Sequence, residues 1–249
     1  MVQGASMITL MDLGAAFWTE SFGGSKALLG YETVLDRIDW YRRERQRFVV
    51  CCDSPRSVRK EKHETYKAQR KPKPKDAVEA LDGIIQRCKA WGLPVVMVDG
   101  WEADDVIATL TRQSWPEEVQ ILGTEKDFFC LIDDERVCLV GKNGPIMAAD
   151  CIHKFGVRPD QMLEWLALVG DASDGVAGCE GWGPAKATAL LHRFGTLFDA
   201  RHAQDGQMLQ LEGVGKKTLA SFRAWDPAKA IELITMNDRL PISLWEILG

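Results

Sequence analysis

The sequence predicts an α/β protein: an open, mostly parallel sheet flanked by helices, followed by a smaller helical subdomain. Two observations carry this. Short apolar runs alternate with helical stretches over the first 150 or so residues, the pattern of parallel strands joined by right-handed crossovers. Beyond about Ala149 the strand signal stops, and short helices separated by Gly-rich turns run to the end. A chain of 249 residues has room for both parts.

The elements follow in order. Met7-Ile-Thr-Leu-Met11 reads as a buried strand closed by Asp12. Helical periodicity covers about Lys26 to Gln46, and Phe48-Val-Val-Cys-Cys52 is a second strand closed by Asp53. A basic stretch ends in Lys71-Pro-Lys-Pro-Lys75, which proline keeps extended. A helix spans about Asp76 to Trp91, then Pro94-Val-Val-Met-Val98 is a third strand. The next helix begins near Ala103 and reaches about Ser114. Val119-Gln-Ile-Leu122 and Arg136-Val-Cys-Leu-Val140 are the fourth and fifth strands. The expected division is 1–150 for the sheet part, including the basic stretch at about 54–75, and 151–249 for the helical part.

Composition narrows the class. The apolar fraction of 46% and the charged fraction of 27% are those of an ordinary folded protein. No apolar run approaches the ~20 residues of a membrane span, and no basic segment with a long apolar stretch opens the chain. The seven cysteines include no C-x-x-C pair, and the four histidines are widely spaced. A reducing compartment is expected, no zinc site, and the cysteines read as small core residues. These features point to the cytoplasm.

The net charge of −5 is unevenly spread. Ser54 to Lys75 carries +7, leaving −12 for the rest. Such a run is either a solvated loop or a local nucleic-acid contact.

The acids carry the chemistry signal. Asp12, Asp53 and Glu102 follow apolar strands, and Asp104 and Asp105 open the helix after the third. Glu125 and Asp127 follow the fourth strand, and Asp171 and Asp174 lie in Gly170-Asp-Ala-Ser-Asp-Gly175. Each alone has a plain reading as a turn or helix-capping residue. Together, at the ends of successive strands, they converge on one sheet edge. Clustered carboxylates repel one another, and hard divalent cations such as Mg²⁺ or Mn²⁺ relieve the repulsion. Two such ions ~4 Å apart clamp the attacking and leaving oxygens of a phosphodiester.

Gly100-Trp-Glu-Ala-Asp-Asp-Val-Ile-Ala-Thr-Leu110 resembles the G-x-E-A-D-D-x-I-x-T-L segment of the 5′-nuclease family. That family includes the 5′-nuclease domain of bacterial DNA polymerase I, phage 5′-exonucleases and the flap endonucleases. The likeness continues, in the family's order, in Thr65-Tyr-Lys-Ala-Gln-Arg70, Leu168-Val-Gly-Asp-Ala-Ser-Asp-Gly175 and Gly181-Trp-Gly-Pro-Ala-Lys-Ala187. It covers about Met7 to Leu240.

The resemblance implies a PIN- and flap-endonuclease-like fold with a helical arch and a C-terminal helix–three-turn–helix, its helix–hairpin–helix at about 170–195. It implies hydrolysis of 5′-flap, nicked or 5′-ended DNA to a 5′-phosphate and a 3′-hydroxyl, by a monomer. Asp12, Asp53, Glu102, Asp104 and Asp105 would serve one metal ion, some of them through water. Asp127, Asp171 and Asp174 would serve a second, with Glu125 standing where the family commonly has Asp. Tyr66, Lys67 and Arg70 would belong to the arch, the two cations on the scissile phosphate and the tyrosine against a base. Gly181, Gly183, Lys186, Lys216 and Lys217 would hold duplex phosphates without reading sequence. A potassium ion would bridge the hairpin through carbonyls between about Gly178 and Gly183. Trp182, in the hairpin turn, is expected near DNA. Replication and repair are the implied setting, with nucleoid association in a bacterial or phage host.

The chain departs from the pattern at Glu125, and at Thr19, near which the family usually has an arginine on phosphate. These departures motivate an alternative: a protein that binds branched DNA and cuts it poorly. An RNA-directed PIN nuclease would share the acids but lack the hairpin and arch. Gly213-Val-Gly-Lys-Lys-Thr218 is not a P-loop, because Lys217 stands where Ser or Thr is needed.

Overall fold

The structure, a computed structural model, describes residues 7–21, 26–44 and 47–249. The chain divides into two compact units. One comprises Met1–Val58, Lys71–Ile146 and Met236–Gly249; the other comprises Arg59–Arg70 and Met147–Thr235.

The first unit is built on β1 (Ile8–Asp12), α1 (Leu13–Glu20), α2 (Ala27–Arg43) and β2 (Arg47–Cys52). The short helix α3 (Val58–Lys62) follows in the chain, all but its first residue in the second unit; the first unit resumes with α4 (Lys75–Ala90), β3 (Val95–Met97) and α5 (Ala103–Gln113). β4 (Val119–Leu122), a 3₁₀ turn at Lys126–Leu131, β5 (Val137–Gly141) and β6 (Gly144–Ile146) complete the sheet. The strand order is β3-β2-β1-β4-β5-β6. The first five strands are parallel, and β6 returns antiparallel to β5. The order reverses between β1 and β4, so a crevice opens outside their C-terminal ends.

Side chains alternate across the strands. Met11, Phe48, Val50 and Cys52 join the buried cluster to which α1, α2 and α4 contribute Phe17, Val34, Ile38 and Ile84. α5 lies along β1, β2 and β3 and buries Val106, Ile107 and Leu110. β1 is buried along its whole length, as a central parallel strand covered on both faces must be.

The second unit contains α6 (Ala148–Phe155), α7 (Met162–Val169), α8 (Pro184–Phe194) and α9 (Leu197–His202). It continues with α10 (Asp205–Met208), α11 (Lys216–Ala224) and α12 (Ala228–Ile234). The last helix, α13 (Leu244–Leu248), belongs to the first unit.

The division differs from the expected one in two ways. Residues 59–70, the middle of the basic stretch, group with the helical unit, and residues 236–249 return to the sheet unit. Hydrogen bonds explain the return: the Asn237 amide donates to Asp105 Oδ1 at 2.7 Å, and the Leu244 amide to Gln113 Oε1 at 2.8 Å. All seven cysteines are free thiols, and Cys51 and Cys52 are buried in β2. Among the described residues, no helix is long and apolar enough to cross a membrane.

Candidate metal centre and nucleic-acid contacts

Three acids meet at the reversal of strand order. Asp12 ends β1, Glu125 follows β4, and Asp104 lies in the first turn of α5. One carboxylate oxygen of each lies within 4.8 Å of the others. Asp12 is buried, Asp104 half-buried and Glu125 exposed, so the cluster runs from the core to the surface. Asp12 also caps α1, accepting the Ala15 amide at 2.9 Å. The plain reading of this residue as a helix cap therefore holds alongside its place in the cluster.

Burial pushes the Asp12 carboxyl up to about 8, and the charges of Asp53 and Glu125 add to the effect. The Ala15 amide and a hydrogen bond with Asp104 pull the other way. A buried acid among acids is the environment that a bound cation would invert. All the donors are hard oxygens, which fits Mg²⁺ or Mn²⁺. Glu125, one methylene longer than Asp, reaches the cluster.

The remaining predicted ligands lie elsewhere. Asp53 stands beside the cluster: a Cβ on Gly14 would lie 3.4 Å from Asp12 Oδ1 and 3.5 Å from Asp53 Oδ2. Its Oδ1 accepts the Ala103 amide at 3.1 Å, and Lys73 Nζ lies 3.6 Å from its Oδ2. Lys73 went unread as a site residue; its only signal was its place in the Lys-Pro-Lys-Pro-Lys run. Glu102 is the N-cap residue of α5 and Asp127 sits in the 3₁₀ turn; neither joins the three-acid group among the described residues.

Asp105 lies outside the three-acid group. It is fully buried, and its two carboxylate oxygens accept the amides of Glu102 at 3.1 Å and Asn237 at 2.7 Å. Its carboxylate fastens the start of α5 and the returning C-terminal segment. Successive helical positions differ by ~100° in direction, so Asp104 faces the cluster and Asp105 the interior.

In the second unit, Asp171 and Asp174 are both buried in the Gly170–Gly175 turn. Asp171 Oδ1 accepts the Ser173 amide at 2.9 Å and the Ser173 hydroxyl at 2.7 Å. Arg70 donates to Asp174 Oδ1, and Lys67 Nζ lies 3.9 Å from Asp174 Oδ2. The two cations expected on phosphate are thus seated on a predicted metal ligand. Tyr66 corrects another expectation. It is 4% exposed and packs with Val176, Ala230 and Leu233, so its ring is core and not a stacking platform.

The hairpin glycines have the following backbone geometry. Gly181 has φ +80°, and nothing lies within 4 Å of a Cβ built on Gly183. Gly183 and Gly215 are the N-cap residues of α8 and α11. Lys186 Nζ donates to the Gly181 carbonyl at 2.7 Å, so one carbonyl expected to face potassium already binds a cation. Lys217 pairs with Glu180 at 3.8 Å, both highly exposed, and Lys216 is exposed on the first turn of α11. Trp182 is 2% exposed; its Nε1 donates to the Thr218 carbonyl at 3.0 Å and its ring packs on Phe222. It packs inside the hairpin.

Residues 25–156 match the 5′-3′ exonuclease, N-terminal resolvase-like domain, and residues 157–244 match the 5′-3′ exonuclease, C-terminal SAM fold. The chain belongs to the 5′-3′ exonuclease family. It is 35% identical over 179 residues to a 5′-3′ exonuclease of Aquifex aeolicus, covering 70% of this chain and 61% of that protein. It is 34% identical over 198 residues to DNA polymerase I of Deinococcus radiodurans, covering 78% of this chain and 20% of that protein. The chain therefore spans about a fifth of the length of the DNA polymerase I relatives it matches. Among solved structures, T5 5′-exonuclease with bound zinc has a TM-score of 0.75 at 22% identity, over 92% of this chain and 89% of that one. The catalytic core of Rad2 in complex with a DNA substrate has a TM-score of 0.58 at 14% identity, over 96% of this chain and 80% of that one. At these identities the structural likeness is one of fold.

Proposed function

We propose that this member of the 5′-3′ exonuclease family hydrolyses phosphodiester bonds in DNA bearing a 5′ flap, a nick or a free 5′ end, with Mg²⁺ or Mn²⁺ as cofactor. The observation that carries the reading is the meeting of Asp12, Asp104 and Glu125 at the reversal of strand order. These carboxylates would hold one cation, with Asp53 beside them. The assignment of Asp127, Asp171 and Asp174 to a second ion rests on the sequence resemblance alone. A bound divalent cation supplies charge neutralisation at the phosphate and a water acidic enough to ionise near neutral pH. Asp12 would anchor the cluster, because its side chain is buried and caps α1. Lys67 and Arg70 would engage a phosphate in exchange for Asp174, one anion for another.

The hairpin glycines would bring backbone amides and the N-terminus of α8 to the duplex, which suits recognition of shape. Potassium at that hairpin and a monomeric state belong to the same proposal. Glu125 reaches the cluster, which removes one ground for a binding protein that cuts poorly.

The test is a 5′-labelled flap duplex incubated with Mg²⁺ and then with excess chelator. Release of the flap near its junction, lost in chelator and in Asp12→Asn, is expected. Cleavage that persists in chelator would sink the reading.

A further inference from the structure

The end of the sheet opposite the acids carries two exposed tryptophans. Arg47, Val119 and Val137 are the first residues of β2, β4 and β5, whereas Asp12 closes β1 and Glu125 follows β4. The two ends of a five-residue strand such as β1 lie ~15 Å apart. Trp115 is 69% exposed and Trp245 47% exposed. Each ring lies against an arginine: the guanidinium of Arg136 is 5.2 Å from the Trp115 centroid, and that of Arg47 is 5.8 Å from the Trp245 centroid. Both are within the reach of cation–π attraction. The two pairs are joined. Arg47 Nη1 meets Glu117 Oε2 at 3.6 Å, and Arg136 Nη1 donates to the Glu117 carbonyl at 3.0 Å and to Ser114 Oγ at 2.9 Å. Gln113 ties α13 to the end of α5, accepting the Leu244 amide and donating to the Ile242 carbonyl, both at 2.8 Å. The rings thus stand on one framework, unlike the single exposed apolar side chains that are ordinary on a protein surface.

Tryptophan and arginine dominate the energetics of protein interfaces, and a ring already held in place loses little freedom when it is covered. The border of this patch is acidic. Glu118 beside Trp115, Asp134 and Glu135 before Arg136, and Glu246 beside Trp245 are all exposed. Both arginines are engaged, one with the Glu117 carboxylate and the other with the Glu117 carbonyl and Ser114. Such a border repels nucleic-acid phosphates and attracts a basic polypeptide. We infer that this end of the sheet docks a protein segment in which lysine or arginine stands beside apolar or proline residues. The two rings take the apolar faces, and the acids take the cations. The bound segment lies a strand's length from Asp12, so it leaves the acidic cluster open. The inference does not rest on the nuclease reading.

A phage-displayed library of random linear peptides, selected on the whole chain and then counter-selected on a Trp115→Ala, Trp245→Ala double variant, tests it. The enriched peptides should carry net positive charge next to apolar or proline residues. Synthesised and followed by fluorescence anisotropy, they should bind Trp115→Ala and Trp245→Ala each about tenfold more weakly than the parent. Glu135→Gln should weaken them severalfold, and added salt should lower their affinity. Phe198→Ala, which removes an equally exposed ring from the second unit, should change nothing. Both tryptophans are exposed, so an unchanged urea midpoint is expected in each variant; if Trp245→Ala disturbs α13, Trp115→Ala alone decides. No enrichment over the double variant, enrichment of acidic peptides, or equal affinity for the parent and folded Trp115→Ala overturns the inference. So does a concentration-dependent dimer in sedimentation that Trp115→Ala abolishes, which would assign the face to a second copy of this chain. Displacement of the peptide by a flap duplex would assign it to nucleic acid instead. A chain that binds the peptides as expected and never cuts a flap would end the nuclease reading and leave this one standing.

Discussion

Lys67 and Asp174 are joined twice: the Lys67 amide donates to the Asp174 carbonyl at 2.9 Å, and Lys67 Nζ stands 3.9 Å from the Asp174 carboxylate. The backbone bond holds Lys67 at φ +52°, the left-handed region that L side chains rarely adopt. Strain of this kind persists where surrounding contacts impose it. Lys67→Ala and Lys67→Gly both remove the ammonium, but only alanine keeps a Cβ at this φ. The glycine variant should be more stable by about 1 kcal/mol, read as a higher midpoint in urea. Both should lose turnover far more than duplex affinity if Lys67 works on the phosphate being cut. Equal losses in the two quantities would leave Lys67 as a general electrostatic contact.

Asp12 imposes a pH dependence whose sign is set by its raised pKa. Burial, with Asp53 and Glu125 near, lifts it from 3.8 to about 8. Between those values the folded protein keeps a proton that the unfolded chain releases. Its contribution to stability is therefore full below 3.8 and is lost as pH rises through about 8. In chelator, the melting temperature should fall as pH is raised across that window. Asp12→Asn keeps the oxygen that caps α1 and removes the charge, so it should flatten this trend and melt higher than the parent near the top of the window. Mn²⁺ should then raise the melting temperature of the parent and not of the variant. A variant that still gains from Mn²⁺ would remove Asp12 from the ligand set.

Much of the sheet was legible because parallel strands covered on both faces are continuous apolar runs, as in Phe48–Cys52. The acids were legible as a group for the same reason, since each run is closed by one. Their individual roles were not. Asp104 and Asp105 are adjacent letters that face different ways, and the Glu102 and returning Asn237 amides show what Asp105 binds. That return is held by hydrogen bonds across more than a hundred residues, which leave no periodicity to read. α1 and β6 were missed as well: one begins on the acid read as a strand end, and the other is three residues containing a proline. The burial of Tyr66 went unread because an aromatic side chain in a basic segment looks alike in sequence whether it faces a base or fills a core.

Asp105→Asn separates the structural acid from the chemical ones. An amide nitrogen would replace one of the two oxygens that now accept backbone N–H groups, setting donor against donor. The expected cost is about 1–3 kcal/mol, seen as a lower urea midpoint. The affinity of the folded protein for Mn²⁺, measured by titration, should be unchanged. Weaker Mn²⁺ binding at undiminished stability would return Asp105 to the metal.

Two glycines in the second unit should respond oppositely to alanine. Gly175 has φ +72°, and a Cβ there would collide with the Thr65 carbonyl. That contact sits behind the turn holding Asp171 and Asp174, so Gly175→Ala must move either the turn or the 59–70 segment. A loss above about 2 kcal/mol is expected. Gly183 has an extended backbone at φ −85° and open space around its Cβ position. Gly183→Ala should therefore fold with its melting temperature intact. If a phosphate approaches that backbone, the new methyl group would stand in its way and duplex affinity should fall severalfold, with no change in the salt slope because no cation is lost. Unaltered affinity would mean that the duplex does not approach the hairpin at Gly183, and would leave Lys186, Lys216 and Lys217 to account for binding by the second unit.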